Sequence, residues 1–489
     1  MRNELVTTHR FLSILTIIFV LFSTVSIFPI QAHIDTPDQD NTYTNNTQQN
    51  KQENPSFDLL IITPQRFSSY LDSLVKHKQN TGIQTKLTIV EDIYQQQSNN
   101  GRDNAEKVKY YIKEAKEQWN ISYVLLVGGR KNQGLQEEWW IPVRYSYLER
   151  NYGHWEEKKF LTDLYFADLY DEQGNFSSWD DNQNGKYGEW EKNNTAADTP
   201  DLYPDVAVGR LPCRTPWDVI IAVNKIISYE TSTFSDNWFK KIAVIAGDTY
   251  PKKTPGFIDG EIHTQQALDF MTNFTPVKKW VSDGSLNNWM DIVSAINNGC
   301  GFVFFSGHGG PHLWATYPPE NAESWGASFH LRHMPFLFNK DKLPVCVSAS
   351  GCFNNMFNVS LSHSDWVYMH PLGIPISYNV YRCWGENLLL KPIGGSIGVI
   401  ASTAFSYESS DISSQQGGCE WLDIHFFEQY NIYDQHVLGS CWKETVNVFL
   451  QNFSINWTDT TDTGDALILK NVEQWLLLGD PSLRIGGCH

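Results

Sequence analysis

The chain has 489 residues, 41% of them hydrophobic, including 18 Trp, 22 Tyr and 27 Phe. That is enough apolar material for a large core in two or three domains, and it excludes disorder as the bulk state. A formal net charge of −18 argues against nucleic acid as a partner, because phosphate binding needs a basic surface.

At the N-terminus, Arg2 and Arg10 precede the apolar run FLSILTIIFVLFSTVSIFPI, and Ala32 follows at a position suited to cleavage. Residues 1–32 read as a secretory signal peptide, although the run is also long enough for an N-terminal anchor. The expectation is an exported chain, extracellular or at the cell surface. It would meet a membrane only through this segment, if the segment stays uncleaved. Residues 33–56, rich in Asn, Gln, Asp and Thr, read as a polar linker or pro-segment. Sequons such as those at Asn120 and Asn358 permit glycosylation. The eight cysteines include no CxxC pair, so neither a disulfide scaffold nor a cysteine-based zinc site is expected.

From residue 57 the pattern alternates. DLLIIT (58–63) predicts a buried strand, PQRFSSYLDSLVKHKQNTG a helix ending at Gly82, and QTKLTIV a strand. A charged helix, NAEKVKYYIKEAKEQW, and the strand YVLLVGG (123–129) follow. Strand and helix in alternation predict a parallel sheet covered by helices. Residues 130–205 are aromatic, acidic and loop-like. DVAVGRLP (205–212) and the helix TPWDVIIAVNKIISYE restore the rhythm. A second α/β unit begins near residue 235 with the strand IAVIAGD (242–248) and the helix EIHTQQALDFM. Trp289, Ile292, Val293 and Ile296 then share one helical face. FVFFSG, LPVCVSA and GGSIGVIAST (394–403) predict further strands. The division is a subdomain over 57–234 and a second over 235–489.

Two of these strands end in reactive groups. FVFFSG runs into His308-Gly309-Gly310, and VCVSASG runs into Cys352. In a parallel sheet, reacting groups gather where the strands' carboxyl ends emerge. If the two strands are neighbours, imidazole and thiol face one cleft. The small residues beside them would let a substrate carbonyl approach the N–H groups of Gly309 and Cys352 as an oxyanion site.

These runs, with YPDVAVGRLPCRTPWDVIIAVNKIISYE (203–230), CWGENLLLKPIGGSIGVIAST (383–403) and LLLGDPSLRI (476–485), resemble the gingipain family of cysteine peptidases, within the caspase and legumain group of folds. The resemblance covers most of the chain after the N-terminal segment. It implies an α/β fold of two caspase-like three-layer subdomains, each a mostly parallel sheet flanked by helices. It implies Cys352 as nucleophile, His308 as general acid/base and Gly309 as an oxyanion donor. Asp248, at the end of IAVIAGD, falls where the family's histidine-positioning group lies. Cys346 falls inside a strand and Cys383 at a structural position before a helix. STAFSY (402–407) occupies the segment walling the primary specificity pocket, with Ser402 and Tyr407 as lining candidates. The family's well-known members cleave after Arg or Lys through an acidic pocket residue. Asp259 and Glu261 lie in that region here, without a motif that carries the specificity over. The chain departs from the family in a longer segment between His308 and Cys352, in a stretch over 358–382 that reads as an insertion, and in Gly351, where Ala or Ser is usual.

A second motif is DDNQNGKYGEWE (180–191). Asp180, Asn182, Asn184, Gly185 and Glu191 have the spacing of a calcium loop, with Lys186 expected to offer its backbone carbonyl. No clear helices flank it, so the expectation is a structural Ca²⁺ and not an EF-hand. No organic cofactor is expected. His308 and His312 have helical zinc spacing, but Gly309, Gly310 and Pro311 between them preclude the helix.

The sequence thus predicts an exported cysteine endopeptidase acting on protein or peptide substrates. Two alternatives are a transpeptidase of the same fold, in which an amine resolves the thioester, and an inactive, calcium-stabilised surface or adhesion module.

Overall fold

The computed structural model describes residues 56–489 except 153–154, 235, 252–255, 363–366, 370–374, 378, 410–414 and 489. The N-terminal segment, nearly all of the polar stretch 33–56 and part of 358–382 lie outside the described residues. No described helix is long and apolar enough to cross a membrane.

Ten strands form the central sheet: β1 (Leu59–Thr63), β2 (Thr85–Ile89), β3 (Tyr123–Val127), β4 (Ala207–Leu211), β5 (Lys241–Ala246), β6 (Thr275–Trp280), β7 (Phe302–Ser306), β8 (Val345–Ala349), β9 (Gly398–Ser402) and β10 (Trp475–Leu478). Their order across the sheet is β6-β5-β7-β8-β9-β10-β4-β3-β1-β2. Every neighbouring pair is parallel except β9 and β10. The sheet is therefore two blocks of parallel strands running in opposite directions, joined edge to edge. The last strand, β10, completes the N-terminal block. Strands β1, β7, β8 and β9 are buried along their whole length, which explains their unbroken apolar runs: helices cover both faces.

The helices are α1 (Asp72–Asn80), α2 (Val90–Gln96), α3 (Asn104–Trp119), α4 (Pro216–Ser232), α5 (Asp259–Phe270), α6 (Trp289–Asn297), α7 (Trp384–Leu389), α8 (Cys419–Asn431), α9 (Leu438–Asn452) and α10 (Gly464–Gln474). The first expected helix starts instead as a 3₁₀ turn, Gln65–Leu71, and only then becomes α1. α4 starts at a capping box of Thr215 and Asp218 with Pro216 in its first turn.

Residues 130–205 hold more structure than a loop. Tyr145–Leu148, Phe160–Leu161 and Tyr187–Trp190 form a small sheet, and Tyr165, Trp179 and Trp190 fill its core. Asn358, although in a sequon, is buried and donates to the Tyr145 hydroxyl at 3.0 Å, so it is not an open glycan acceptor.

The register of the second block places the site. Ala246 pairs with Ser306, and Ser306 with Ala349. The carboxyl ends of β5, β7 and β8 are level, and the segments that follow them meet at one edge.

Candidate active site

His308 begins a short antiparallel sheet of His308–Gly310, Leu313–Thr316 and Ala327–His330 that folds back over the end of β7. Its Nε2 lies 2.8 Å from the Thr249 carbonyl oxygen. With that nitrogen donating to a carbonyl, Nδ1 is the basic nitrogen, and no hydrogen bond holds it among the described residues. The rings of Tyr250, Tyr317 and Trp325 surround the imidazole at centroid distances of 5.6, 5.7 and 5.6 Å. Burial lowers the pKa of His308, while the Thr249 carbonyl and the charge of Asp259 oppose that shift.

Cys352 sits on a tight turn after β8, between two residues in the left-handed region, Ser350 (φ 57°) and Phe353 (φ 61°). Non-glycine residues rarely adopt this conformation, and such strain gathers at functional turns. Buried side chains hold the turn. Asn354 donates to the carbonyls of Gly310 and Leu313 at 2.9 and 3.0 Å and accepts from Ser348 at 2.8 Å. It therefore ties the cysteine turn to the histidine hairpin. Asn355 donates to the carbonyls of Val399 and Leu476, 3.2 Å each.

The glycines set the approach of the two segments. A Cβ on Gly309 would lie 2.5 Å from the Gly351 carbonyl carbon and 2.6 Å from the Cys352 oxygen. Only glycine permits that contact. A Cβ on Gly351 would lie 2.4 Å from both Ser348 Oγ and Asn354 Oδ1. The hydrogen bond between those two side chains occupies the space that an Ala or Ser would need, which accounts for Gly351.

The Cys352 N–H, expected as an oxyanion donor, is turned onto the Ser350 carbonyl at 3.0 Å. Sulfur meets residue 406 instead. The Ser406 hydroxyl lies 3.2 Å from Sγ, and the Ser406 N–H donates to it at 3.4 Å. Burial raises the pKa of the Cys352 thiol, opposed by Ser406 and by the charge of Lys470. Cys346 is fully buried within β8, and Cys383 is buried at the start of α7.

The other candidates lie around this centre. Asp248 pairs through its backbone with Tyr317. Its carboxyl accepts a 3.4 Å bond from the Glu320 N–H, and its pKa is pushed up to about 6 by burial and by Asp259. Asp259 Oδ1 accepts from the N–H groups of Thr249 and Gly260, 2.6 Å each. Ser402 spends its hydroxyl on the Ala404 carbonyl, 2.7 Å away. Tyr407 is partly exposed beside the Cys352–Ser406 contact. Thr249, Asn354, Ser406 and Lys470 are site residues that sequence reasoning did not single out.

Away from the cleft, the 180–191 loop closes on the chain's own cations. Asp180 accepts from the backbone of Asn184 and Gly185, 3.0 Å each, and from Arg102 at 2.6 Å. Asn182 and Asn184 turn their amides to Glu189, not Glu191, at 3.1 and 2.6 Å. The Lys186 ammonium bridges Glu189 and Glu191. Among the described residues, no group of three or more His, Cys, Asp or Glu converges as a metal site.

Comparison with known proteins agrees with this architecture. The model of peptidase family C25 matches residues 52–486. Gingipain R2 of Porphyromonas gingivalis (strain ATCC BAA-308 / W83) is 21% identical over 432 residues, covering 87% of this chain and 46% of that protein. Gingipain R1 of the same species is 20% identical over 432 residues, covering 87% of this chain and 34% of that protein. The chain thus spans less than half the length of these curated relatives. The crystal structure of the Arg-specific cysteine proteinase gingipain R (RgpB) superposes with a TM-score of 0.58 at 17% identity, over 89% of this chain and 79% of that one. RgpB in complex with its pro-domain gives 0.54 at 18% identity, over 88% and 79%. Together, the sheet with its paired His308 and Cys352 turns and a family match running almost from end to end of the described residues show that this chain belongs to peptidase family C25, the gingipain-like cysteine peptidases.

Proposed function

We propose that this chain is an exported cysteine endopeptidase that hydrolyses protein or peptide substrates through a thioester on Cys352. The observation that carries the reading is the packing of Gly309 onto the Gly351–Cys352 backbone, with His308 held by Thr249 beside it. Burial favours the neutral form of both reacting groups. The resting pair is therefore thiol and imidazole, not a tight ion pair. As its sulfur attacks the scissile carbonyl, Cys352 gives its proton to His308 Nδ1, which passes it to the leaving amine as the C–N bond breaks. Water then cleaves the thioester: the imidazole takes the water's proton and returns it to the departing Cys352 sulfur. The Cys352 N–H must leave the Ser350 carbonyl to serve as an oxyanion donor, so substrate binding completes that site.

The test is labelling by a thiol-directed electrophilic peptide probe, mapped by mass spectrometry. Six of the eight cysteines are buried, and only Cys352 and Cys488 are partly exposed. Labelling of Cys352 in a Cys488→Ser background, weakened by His308→Ala, is the expected result. A reduced, folded chain in which Cys352 stays unlabelled after mild proteolysis would favour the inactive surface module.

For the 180–191 loop we propose Ca²⁺ as a structural ligand in competition with Lys186. The support is the pairing of Glu189 with Asn182 and Asn184, whose amides present oxygens when rotated, together with the carboxylate of Asp180. Arg102 and Lys186 already neutralise these carboxylates, so the residues fit a cation only once the ammonium leaves.

A further inference from the structure

Next to the nucleophile, α10 contributes two successive buried residues, Lys470 and Asn471. Asn471 grips residue 407 from both sides: the Tyr407 N–H donates to its Oδ1 at 3.2 Å, and its Nδ2 donates to the Tyr407 carbonyl at 2.8 Å. Lys470 donates to the buried carboxylate of Glu157, which also accepts from the backbone of Phe405. The ammonium lies 4.9 Å from the ring centre of Tyr407, 5.3 Å from Phe160 and 5.8 Å from Phe405. Residues 405 and 407 are thus anchored to α10 and Glu157. Residue 406, between them, presents its hydroxyl and N–H to the sulfur.

A buried ion pair is a poor source of stability, since an apolar pair of similar volume does as well or better. Beside a thiol that must ionise, the same pair has an electrostatic consequence. Among the described residues, the charged and titratable groups bearing on Cys352 include Lys470 from α10, Glu157 from the antiparallel pair Arg150–Tyr152 and Trp155–Glu157, and Tyr250, whose ring packs against His308. Glu408 stands one step further off, bonded to Ser350. Lys470 and Glu157 act on the sulfur with opposite sign.

We propose that Lys470, clamped by Glu157, is a positioning residue for the nucleophile: it fixes residues 405–407 so that Ser406 meets the Cys352 sulfur, and it brings a cation's field to bear on the thiolate. This rests on the reading of Cys352 as the nucleophile.

The experiment measures the alkylation rate of Cys352 by iodoacetamide from pH 5 to 10 in the full chain, read by peptide mass spectrometry. Thermal melting of each variant serves as the folding control. Lys470→Met should move the midpoint up by a unit or more and slow alkylation at pH 7 at least ~tenfold. Lys470→Arg should restore the rate to within ~threefold. Glu157→Gln should move the midpoint down. Opposite displacements support the proposal, because a purely structural pair would disturb both variants alike. Displacement in the same direction, or none, overturns it. If Lys470→Met does not fold, Glu157→Gln decides alone by the same sign. Failure to cleave any peptide would sink the peptidase reading and leave these alkylation profiles as evidence for or against Lys470.

Discussion

His308 Nε2 bonds to the Thr249 carbonyl oxygen, and the Thr249 N–H in turn bonds to Asp259 at 2.6 Å. The imidazole is therefore aimed by the backbone of Thr249, a residue whose N–H is fixed by a buried carboxylate. The side chain of Asp248, adjacent in sequence, makes no hydrogen bond to it.

This arrangement ranks the acids. Asp248→Asn should leave kcat/KM on a cleaved peptide within about tenfold of wild type, whereas Asp259→Ala, which releases Thr249, should cost on the order of a hundredfold. The Asp248 carboxyl is pushed up to about 6, so it gains a proton as pH falls through that value. A pH–rate inflection near there that Asp248→Asn abolishes would show instead that Asp248 positions the histidine.

The approach of the two turns is limited by Gly309. Gly309→Ala places a methyl group 2.5 Å from backbone that cannot swing away. The segments must separate, at a stability cost of about 1–3 kcal/mol and, with the reacting groups displaced, a loss of about a hundredfold or more in activity. Gly351→Ala clashes with side chains instead. Adding Ser348→Ala should recover part of its melting temperature, and the same addition should not rescue Gly309→Ala. Full activity in Gly309→Ala would refute the close contact.

How much of this could be read from the chain follows from the range of each interaction. His308 and Cys352 were legible because an apolar run ending in small residues marks a strand's carboxyl end, and β7 and β8 are sequential neighbours. Thr249 was not, because it acts through a carbonyl that every residue has. Ser406 meets the sulfur, and Lys470 acts on it through its charge, from elements far along the chain. Asn354 left a faint signal: two asparagines inside the otherwise apolar CFNNMF need hydrogen-bond partners when the segment is buried. The direction of β10 was hidden because LLLG suits either block, and only pairing with β4 and β9 decides it. The calcium spacing drew attention to Glu191, whereas the chain turns Glu189 inward.

That loop yields its own test. Removing the competing ammonium should strengthen cation binding, so Lys186→Met should bind Ca²⁺ at least ~tenfold more tightly than wild type by titration calorimetry and gain more melting temperature from millimolar Ca²⁺. Heat from neither protein would remove calcium from the account of this loop.

The last prediction concerns Glu473, buried on α10, whose Oε2 accepts from Ser146 at 2.7 Å. Burial first, then the charges of Asp198 and Asp168, push its pKa up to about 8. An unfolded Glu ionises at roughly 4.3. Between those values the native state holds a proton that the unfolded state has released, so stability present in acid is lost as pH rises toward 8. Asp168, raised to about 7 by burial, slopes the same way. Glu473→Gln keeps an acceptor for Ser146 without the ionisation. It should match wild type near pH 4.5, exceed it at pH 8 by ~2–4 kcal/mol, and flatten the decline between. Urea unfolding at these two pH values measures the difference, and equal slopes in the two proteins would mean that Glu473 is ionised in the native fold, with a charged partner or water supplying what burial takes away.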